Sequence, residues 1–213
     1  MNLLLRTYLP TLALASVLFG SVTTASGGVH NDFEVGLEPG TNKLLVEGDE
    51  DLLSGAEKIE LFPGGLVADP TLFFAQEPGW EAVEADEPGE IDAIDITAAH
   101  EISLERVNFD AGFRMFQPPG FAGDEVLTSN GAQFEFIQEN PPIETGFHND
   151  LFFAANGNLG DMFSATYQIT DPSGIYTDSD PFTLNFVIVP EPTVAALVVL
   201  GGLVAFRRRA RRA

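Results

Sequence analysis

The chain has 213 residues, no cysteine, and 32 acidic against 10 basic side chains, for a formal net charge of −22. This length fits one folded domain with a short segment at each end, and the lack of cysteine excludes a disulfide framework, thiolate metal sites and a cysteine nucleophile. Six of the cations and Glu191 lie outside residues 26–189, which leaves four cations against 31 anions there, and the resulting net charge of −27 excludes binding to nucleic-acid phosphates.

The first 25 residues have the pattern of a secretory signal peptide. Arg6 is the only charge before an apolar stretch at 8–19, and small residues follow at 20–28. Such a stretch is too short to span a bilayer core of about 30 Å, and Thr23 and Ala25 suit the small-residue rule of signal peptidase. We predict cleavage after Ala25, with signal peptidase and the secretion machinery as partners. The alternative is a buried N-terminal helix.

Residues 26–189 predict an all-β domain. Short runs alternate apolar and polar residues, which is typical of antiparallel strands with one solvated face, and Gly, Pro, Asn and Asp separate the runs. The predicted strands are 44–46, 58–61, 72–74, 101–109, 133–136, 163–169 and 182–188. We predict an antiparallel β-sandwich or jelly roll whose core is supplied by the 18 phenylalanines and the single tryptophan.

Two stretches depart from this alternation. In 101–109 the apolar set changes phase between Leu104 and Val107, which predicts a β-bulge near Glu105. Seven carboxylates lie in the segment 81–95. We predict that this segment is a solvated loop that the core excludes.

Two nearly identical strings contain two of the three histidines. Residues 28–33 read Gly-Val-His-Asn-Asp-Phe and residues 146–151 read Gly-Phe-His-Asn-Asp-Leu. In a strand, residues two positions apart share a face, and imidazole and carboxylate are zinc ligands. The strings therefore predict a metal site from the side chains His30, Asp32, His148 and Asp150. The alternative is architectural: each string opens a strand, and its histidine packs at the strand edge.

Two other ligands are candidates. Oxygen-rich loops at 156–161 and 171–180 predict loose calcium binding, although neither matches the EF-hand pattern. The alternative is that both are solvated loops without a bound ion. Trp80 follows a glycine in a predicted loop and could stack on a sugar ring, which would make the domain a carbohydrate-binding module. The alternative for Trp80 is a position in the core. Zinc and calcium are thus the candidate cofactors.

No motif points to catalysis. Carboxylates are so numerous that a glycosidase pair could always be found, so their abundance carries no information. The sequence lacks a nucleophile elbow, a His-Glu-Xaa-Xaa-His helix and a phosphate-binding glycine loop. We therefore predict a non-enzymatic protein, with a hydrolase as the alternative.

The C-terminal residues combine three features. Pro190, Glu191 and Pro192 precede an apolar run at 194–206, and an arginine cluster ends the chain: Arg207, Arg208, Arg209, Arg211 and Arg212. As a helix, residues 193–206 extend about 21 Å, so the run spans a bilayer only if the arginines reach back to the interface. The positive-inside rule predicts that this cluster stays cytoplasmic while the preceding chain is exported.

This pattern, with the signal peptide before it, resembles the PEP-CTERM sorting signal. The resemblance covers residues 189–213. It implies a Gram-negative-type bacterium, recognition of Pro190, Glu191 and Pro192 by a membrane-embedded exosortase, and removal of the tail after a transient stay in the inner membrane. The mature protein would then reach the cell surface or the extracellular matrix, where such proteins typically accompany exopolysaccharide. The alternative is a single-pass anchor that is never cleaved.

Scattered pieces of the domain are similar to one family within this group, the zinc-repressor-regulated PEP-CTERM proteins. The pieces are the His-Xaa-Asp at the mature start, the segment 77–80 (Glu-Pro-Gly-Trp) and the segment 179–182 (Ser-Asp-Pro-Phe). The resemblance implies a role in zinc handling or surface adaptation, although this chain has less histidine than a zinc store needs. The sequence as a whole predicts an exported, exosortase-sorted, non-enzymatic surface or matrix protein, with a carbohydrate- or zinc-binding surface module as the alternative.

Overall fold

The computed structural model describes residues 32–64, 69, 71–76, 78–83, 89–94, 101–118, 124–136 and 147–190. The predicted signal peptide and the sorting segment from residue 191 onward lie outside these ranges. Among the helices of the described residues, none has the length and apolar character needed to cross a membrane.

Strands dominate the described residues, which confirms the all-β prediction. The strands are β1 (Phe33–Leu37), β2 (Leu44–Glu47), β3 (Ile59–Pro63), β4 (Phe73–Ala75), β5 (Trp80–Ala82), β6 (Ser103–Phe109), β7 (Phe113–Phe116), β8 (Glu125–Val126), β9 (Gln133–Glu135), β10 (His148–Asn149), β11 (Phe152–Ala155), β12 (Met162–Thr170) and β13 (Phe182–Ile188). One helical turn, α1 (Glu50–Leu53), begins after Asp49, whose carboxylate accepts hydrogen bonds from the amides of Asp51 and Leu52.

The strands form a small sheet with the order β10-β5-β1-β2 and a large sheet with the order β8-β7-β11-β4-β3-β13-β12-β6-β9. The prediction of purely antiparallel sheets is wrong, because β1 pairs with β5 and β3 pairs with β13 in parallel. Parallel pairing requires a long crossover, and both pairs have one. The residues between β1 and β5 include β3 and β4 of the large sheet, so the chain crosses between the sheets.

The large sheet curves strongly. Its two edge strands, β8 and β9, are joined by only the residues 127–132. Nine strands laid flat would separate those edges by about 38 Å, whereas this connection spans about 24 Å when fully extended. The sheet therefore curls until its edges approach each other. Arg106 fastens the connection, since its guanidinium donates to the Leu127 carbonyl and to the Asn130 side chain, each at 3.0 Å.

Both sheets contribute side chains to one hydrophobic core. Trp80 of the small sheet has no exposed surface, and its indole contacts aromatic rings on several elements: Phe33, Phe136, Tyr167 and Phe182. Burying an aromatic side chain removes about 150–250 Å² from water and contributes about 4–6 kcal/mol before entropic costs. Along β12 every second residue from Phe163 to Ile169 is buried, as the alternation predicted.

The predicted β-bulge in β6 is confirmed. The prediction that residues 81–95 form a solvated loop is wrong in part. Thr166 pairs with Asn108 and Tyr167 with Arg106, so the extra residue is Val107, two positions from the predicted one. Within 81–95, the first two residues belong to β5 and Ile91 is fully buried. The apolar residues of this segment are buried in the core although carboxylates lie between them in the sequence. Residues 84–88 and 95 lie outside the described ranges.

One buried carboxylate organises the loop between β12 and β13. Asp171 accepts hydrogen bonds from the amides of Ser173, Ile175 and Tyr176, each at 2.8 Å, and from the Ser173 hydroxyl. Burial raises the pKa of Asp171 and these hydrogen bonds lower it. The hydrogen bonds together outweigh burial, so the pKa lies below its ordinary value.

We expect Asp171→Asn to lower the free energy of unfolding at pH 7 by about 1–3 kcal/mol, because a carboxamide accepts through one oxygen only and leaves part of the loop's amides without their acceptor. In the parent protein, the stabilisation is complete above the pKa of an unfolded aspartate, about 3.9, and is lost as the pH falls through the lower native pKa. Urea denaturation at pH 7 and at pH 3 measures both effects.

The control is Asp180→Asn. Asp180 is 86% exposed and pairs with Lys43, and water screens such a pair. If the two variants unfolded at the same urea concentration, this account of Asp171 would be wrong.

Candidate metal site

Three carboxylates surround one imidazole where β1 begins. Nε2 of His148 lies 3.4 Å from Oδ2 of Asp32 and 3.4 Å from Oδ1 of Asp150. Nδ1 of His148 lies 3.7 Å from Oε2 of Glu81. We call Asp32, Glu81, His148 and Asp150 the His148 cluster. Asp32, Glu81 and His148 each offer a ligand atom within 4.8 Å of the others, close enough for one metal ion.

Strand register brings these residues together. β5 lies between β1 and β10 in the small sheet, and His148 pairs with Glu81 across the β5–β10 ladder. On the other side, Phe33 pairs with Trp80, so Asp32 lies beside Gly79. The described residues of the two similar strings therefore lie on either side of β5. Because β1 runs parallel and β10 antiparallel to β5, both Asp32 and Asp150 lie beside Gly79.

Gly79 lies against the two aspartates of the cluster, Asp32 and Asp150. Its amide donates to Oδ1 of Asp32 at 2.7 Å. A Cβ at this position would lie 2.9 Å from Oδ1 of Asp150 and 3.0 Å from Oδ1 of Asp32, closer than side chains pack. The glycine is thus required for space, because the backbone passes between two carboxylates. This contact explains the glycine of the Glu-Pro-Gly-Trp segment, and the core explains its tryptophan.

The His148 cluster is accessible and strongly negative. The side chains of Glu81, His148 and Asp150 are 41–43% exposed and that of Asp32 is 22% exposed. Distances of 3.4 Å and 3.7 Å exceed those of good N–H···O hydrogen bonds, so the imidazole nitrogens and the carboxylate oxygens are not tightly hydrogen-bonded to each other. Three carboxylates around one imidazole, in a domain with a large negative charge, attract a small cation. Both nitrogen and oxygen ligands are offered, which suits zinc.

Of the predicted metal ligands, the structure brings Asp32, His148 and Asp150 together. His30 lies outside the described residues. Sequence reasoning missed Glu81, because its segment was assigned to a solvated loop on account of its charge. The signal that could have found it is the Trp-Glu-Ala alternation at 80–82, which places Glu81 on the face opposite the core.

The prediction that Trp80 stacks on a sugar is wrong. Its indole has no exposed surface and lies 4.9 Å from Phe33 and 6.2 Å from Tyr167, measured between ring centroids. Neither face of the ring is available to a ligand. The alternative interpretation of this tryptophan, a position in the core, is confirmed.

Among the described residues, the acidic groups that are close enough to share one ion do not include those of the two loops predicted to bind calcium. Oδ2 of Asp161 accepts a hydrogen bond from the Asn158 amide, and Oδ1 of Asp178 accepts one from the Asp171 amide. Their carboxylates therefore serve the loops themselves. A second described group of carboxylates close enough to hold an ion, Asp49, Asp51 and Glu57, includes the residue that caps α1.

The predicted sorting segment begins where the described fold ends. The Val189 amide donates to the Leu61 carbonyl at 3.0 Å, and Pro190, the next residue, is exposed. The other predicted sorting residues, Glu191, Pro192 and the arginine cluster at 207–212, lie outside the described residues. Comparisons of the chain with protein-family models, with curated proteins and with solved structures find no match.

The burial of Trp80 can be checked by fluorescence, because the chain has a single tryptophan. We expect the emission of the folded protein to be blue-shifted and weakly quenched by acrylamide, since the indole is surrounded by aromatic rings and aliphatic groups. The urea-unfolded chain is the control and should show red-shifted, strongly quenched emission. Equal quenching of the two states would contradict the buried position.

Proposed function

We propose that this protein is an exported, exosortase-sorted, non-enzymatic surface or matrix protein whose domain binds zinc at the His148 cluster. The observation that carries the metal-binding part is the convergence of Asp32, His148 and Asp150, with both carboxylates 3.4 Å from Nε2. These residues come from two strings that are far apart in sequence. An architectural role for the strings would require only that each opens a strand, and would not require their side chains to converge.

The donor set favours zinc over calcium. Calcium takes six to eight oxygen ligands in flexible arrangements, whereas the His148 cluster offers an imidazole nitrogen and a few carboxylate oxygens. Zinc binds four such ligands in a tetrahedron. His30, which the sequence also predicted as a ligand, lies outside the described residues and is not needed for the three described ligands. An accessible single site of this kind suits binding or sensing better than bulk storage.

Export and sorting are supported by the ends of the chain. The chain leaves the sheet at Val189, and the tripeptide starts at the exposed Pro190, where a membrane-embedded protease could reach it. We further propose that the two sheets form a β-sandwich, since they share one core. The short hydrophobic helix at 194–206, the transient inner-membrane stage and the association with exopolysaccharide follow from the sorting pattern alone.

Zinc should stabilise the exported protein, purified without a histidine tag. At a zinc concentration 100 times the Kd, we expect about 2.7 kcal/mol of stabilisation, measured by thermal unfolding with and without zinc. His148→Ala should abolish the shift, because it removes the only imidazole that the described cluster contains. His100→Ala is the matched control, since His100 belongs to neither string, and it should keep the shift. No zinc-dependent shift in the parent protein, or an equal shift in His148→Ala, would refute zinc binding at this site.

Processing should be visible by mass spectrometry of the exported protein. We expect the mature mass to lack residues 1–25 and the arginine tail. Replacing Pro190, Glu191 and Pro192 together by alanine should preserve signal-peptide removal and block loss of the tail, because the proposed recognition sequence is gone. A parent protein that reaches the surface with its terminal arginines intact would contradict exosortase sorting.

A further inference from the structure

The imidazole of His148 presents two nitrogens to different carboxylates. Nε2 faces Asp32 and Asp150, each at 3.4 Å, and Nδ1 faces Glu81 at 3.7 Å. The lone pairs of the two nitrogens point in divergent directions, so a single ion binds only one of them. The carboxylate on the other nitrogen then has a different role. In neutral imidazole that other nitrogen carries the proton and is a hydrogen-bond donor.

The distances favour Nε2 as the ligand atom. In a tetrahedral zinc site with bonds of 2.0–2.2 Å, two ligand atoms lie about 3.3–3.6 Å apart. Both distances from Nε2, to Asp32 and to Asp150, already fall in that range. An ion bound to Nε2 therefore has one carboxylate oxygen of Asp32 and one of Asp150 at a suitable distance from that nitrogen. On the Nδ1 side, one carboxylate at 3.7 Å is the closest partner of that nitrogen among the ion pairs of the cluster.

Gly79 holds Asp32 and leaves room for Asp150 beside Nε2 of His148, before any ion is bound. Its amide binds Oδ1 of Asp32 at 2.7 Å, which leaves Oδ2, the atom that faces His148, free of that contact. The same glycine permits Asp150 to approach, because a Cβ would lie 2.9 Å from Oδ1 of Asp150. The two carboxylates are thus held close together despite their like charges. That arrangement is costly without a cation between them and favourable with one.

On the basis of the proposed zinc binding, we infer that the ion binds Nε2 of His148 together with Asp32 and Asp150, and that Glu81 is a positioning residue. In the zinc-bound protein, Glu81 closes the present 3.7 Å separation from Nδ1 and accepts a hydrogen bond from its proton, which fixes the tautomer and the orientation of the ring. Carboxylates in this position typically change metal affinity by about 10–100-fold. The three ligands leave one coordination position for water or for a further donor.

Zinc affinities of two isosteric variants separate the roles. We expect Asp150→Asn to weaken zinc binding by more than about 100-fold, because it removes a charged ligand. Glu81→Gln should weaken it by about 10–100-fold, because the ion keeps all three ligands and the ring keeps only a neutral acceptor in place of a carboxylate. Competition with a chromophoric chelator measures both. Cobalt(II) absorption adds a spectroscopic test: the bands should move in Asp150→Asn and keep their positions in Glu81→Gln.

The ligating nitrogen can be observed directly. Long-range proton–nitrogen correlation spectra of the zinc-loaded protein should show Nε2 of His148 bound to metal and Nδ1 protonated, with His148→Ala used to assign the signals. Zinc on Nδ1, or an equal loss of affinity in Glu81→Gln and Asp150→Asn, would overturn the division of roles while leaving zinc binding intact. A parent protein that binds no zinc would overturn the proposed function as well.

Two glycine variants test whether Gly79 positions Asp32 and Asp150 for zinc. Gly79→Ala should weaken zinc binding, because the added methyl group pushes Asp32 and Asp150 apart. Gly157→Ala is the matched control, since its Cβ would lie 2.9 Å from Oδ2 of Asp161, a carboxylate outside the cluster. Both variants are expected to lose stability, and only the first should lose zinc affinity. Unchanged affinity in folded Gly79→Ala would refute the positioning role of Gly79.

Discussion

The alternation of side chains along β5 connects the core to the candidate site. Trp80 points inward and packs between the two sheets, while Glu81, the next residue, lies on the opposite face beside His148. A shift of register by one residue would exchange these two faces and place a carboxylate in the aromatic core. The burial of Trp80 therefore fixes the position of Glu81, and the same pairing places Asp32 and His148 on either side of the strand.

The charge of the domain gives the His148 cluster its chemical character. Mutual repulsion among the many carboxylates favours their separation on the surface, yet Asp32 and Asp150 approach the same glycine. Elsewhere in the described chain, carboxylates that lie close to the backbone accept loop amides, as Asp171 and Asp161 do. Asp32 uses one oxygen in this way and directs the other toward an imidazole. The cluster thus differs from the structural carboxylates in having oxygens that face a nitrogen ligand.

Local features of the fold were predictable from the sequence and its long-range pairing was not. The alternation along β12 and the phase change in β6 are properties of consecutive residues, so pattern reasoning found both. The parallel pairs and the curling of the large sheet depend on which distant strands meet, which no local period encodes. The likeness of the two strings predicted Asp32, His148 and Asp150 as neighbours, and the pairing of β1 and β10 with β5 brings them together. Glu81 was missed because the charge of a long segment was weighed above the alternation of three residues.

The candidate site and the last described residues of the chain belong to different sheets. The His148 cluster lies in the small sheet and is built from residues 32–150, whereas the chain leaves the fold from β13 in the large sheet. The last described backbone hydrogen bond before the tripeptide is made by Val189, and the contacts given above for the cluster are made by residues 32, 79, 81, 148 and 150. If the tail is removed as we propose, all of these residues stay with the domain, so the proposed zinc binding and the proposed sorting can be tested separately.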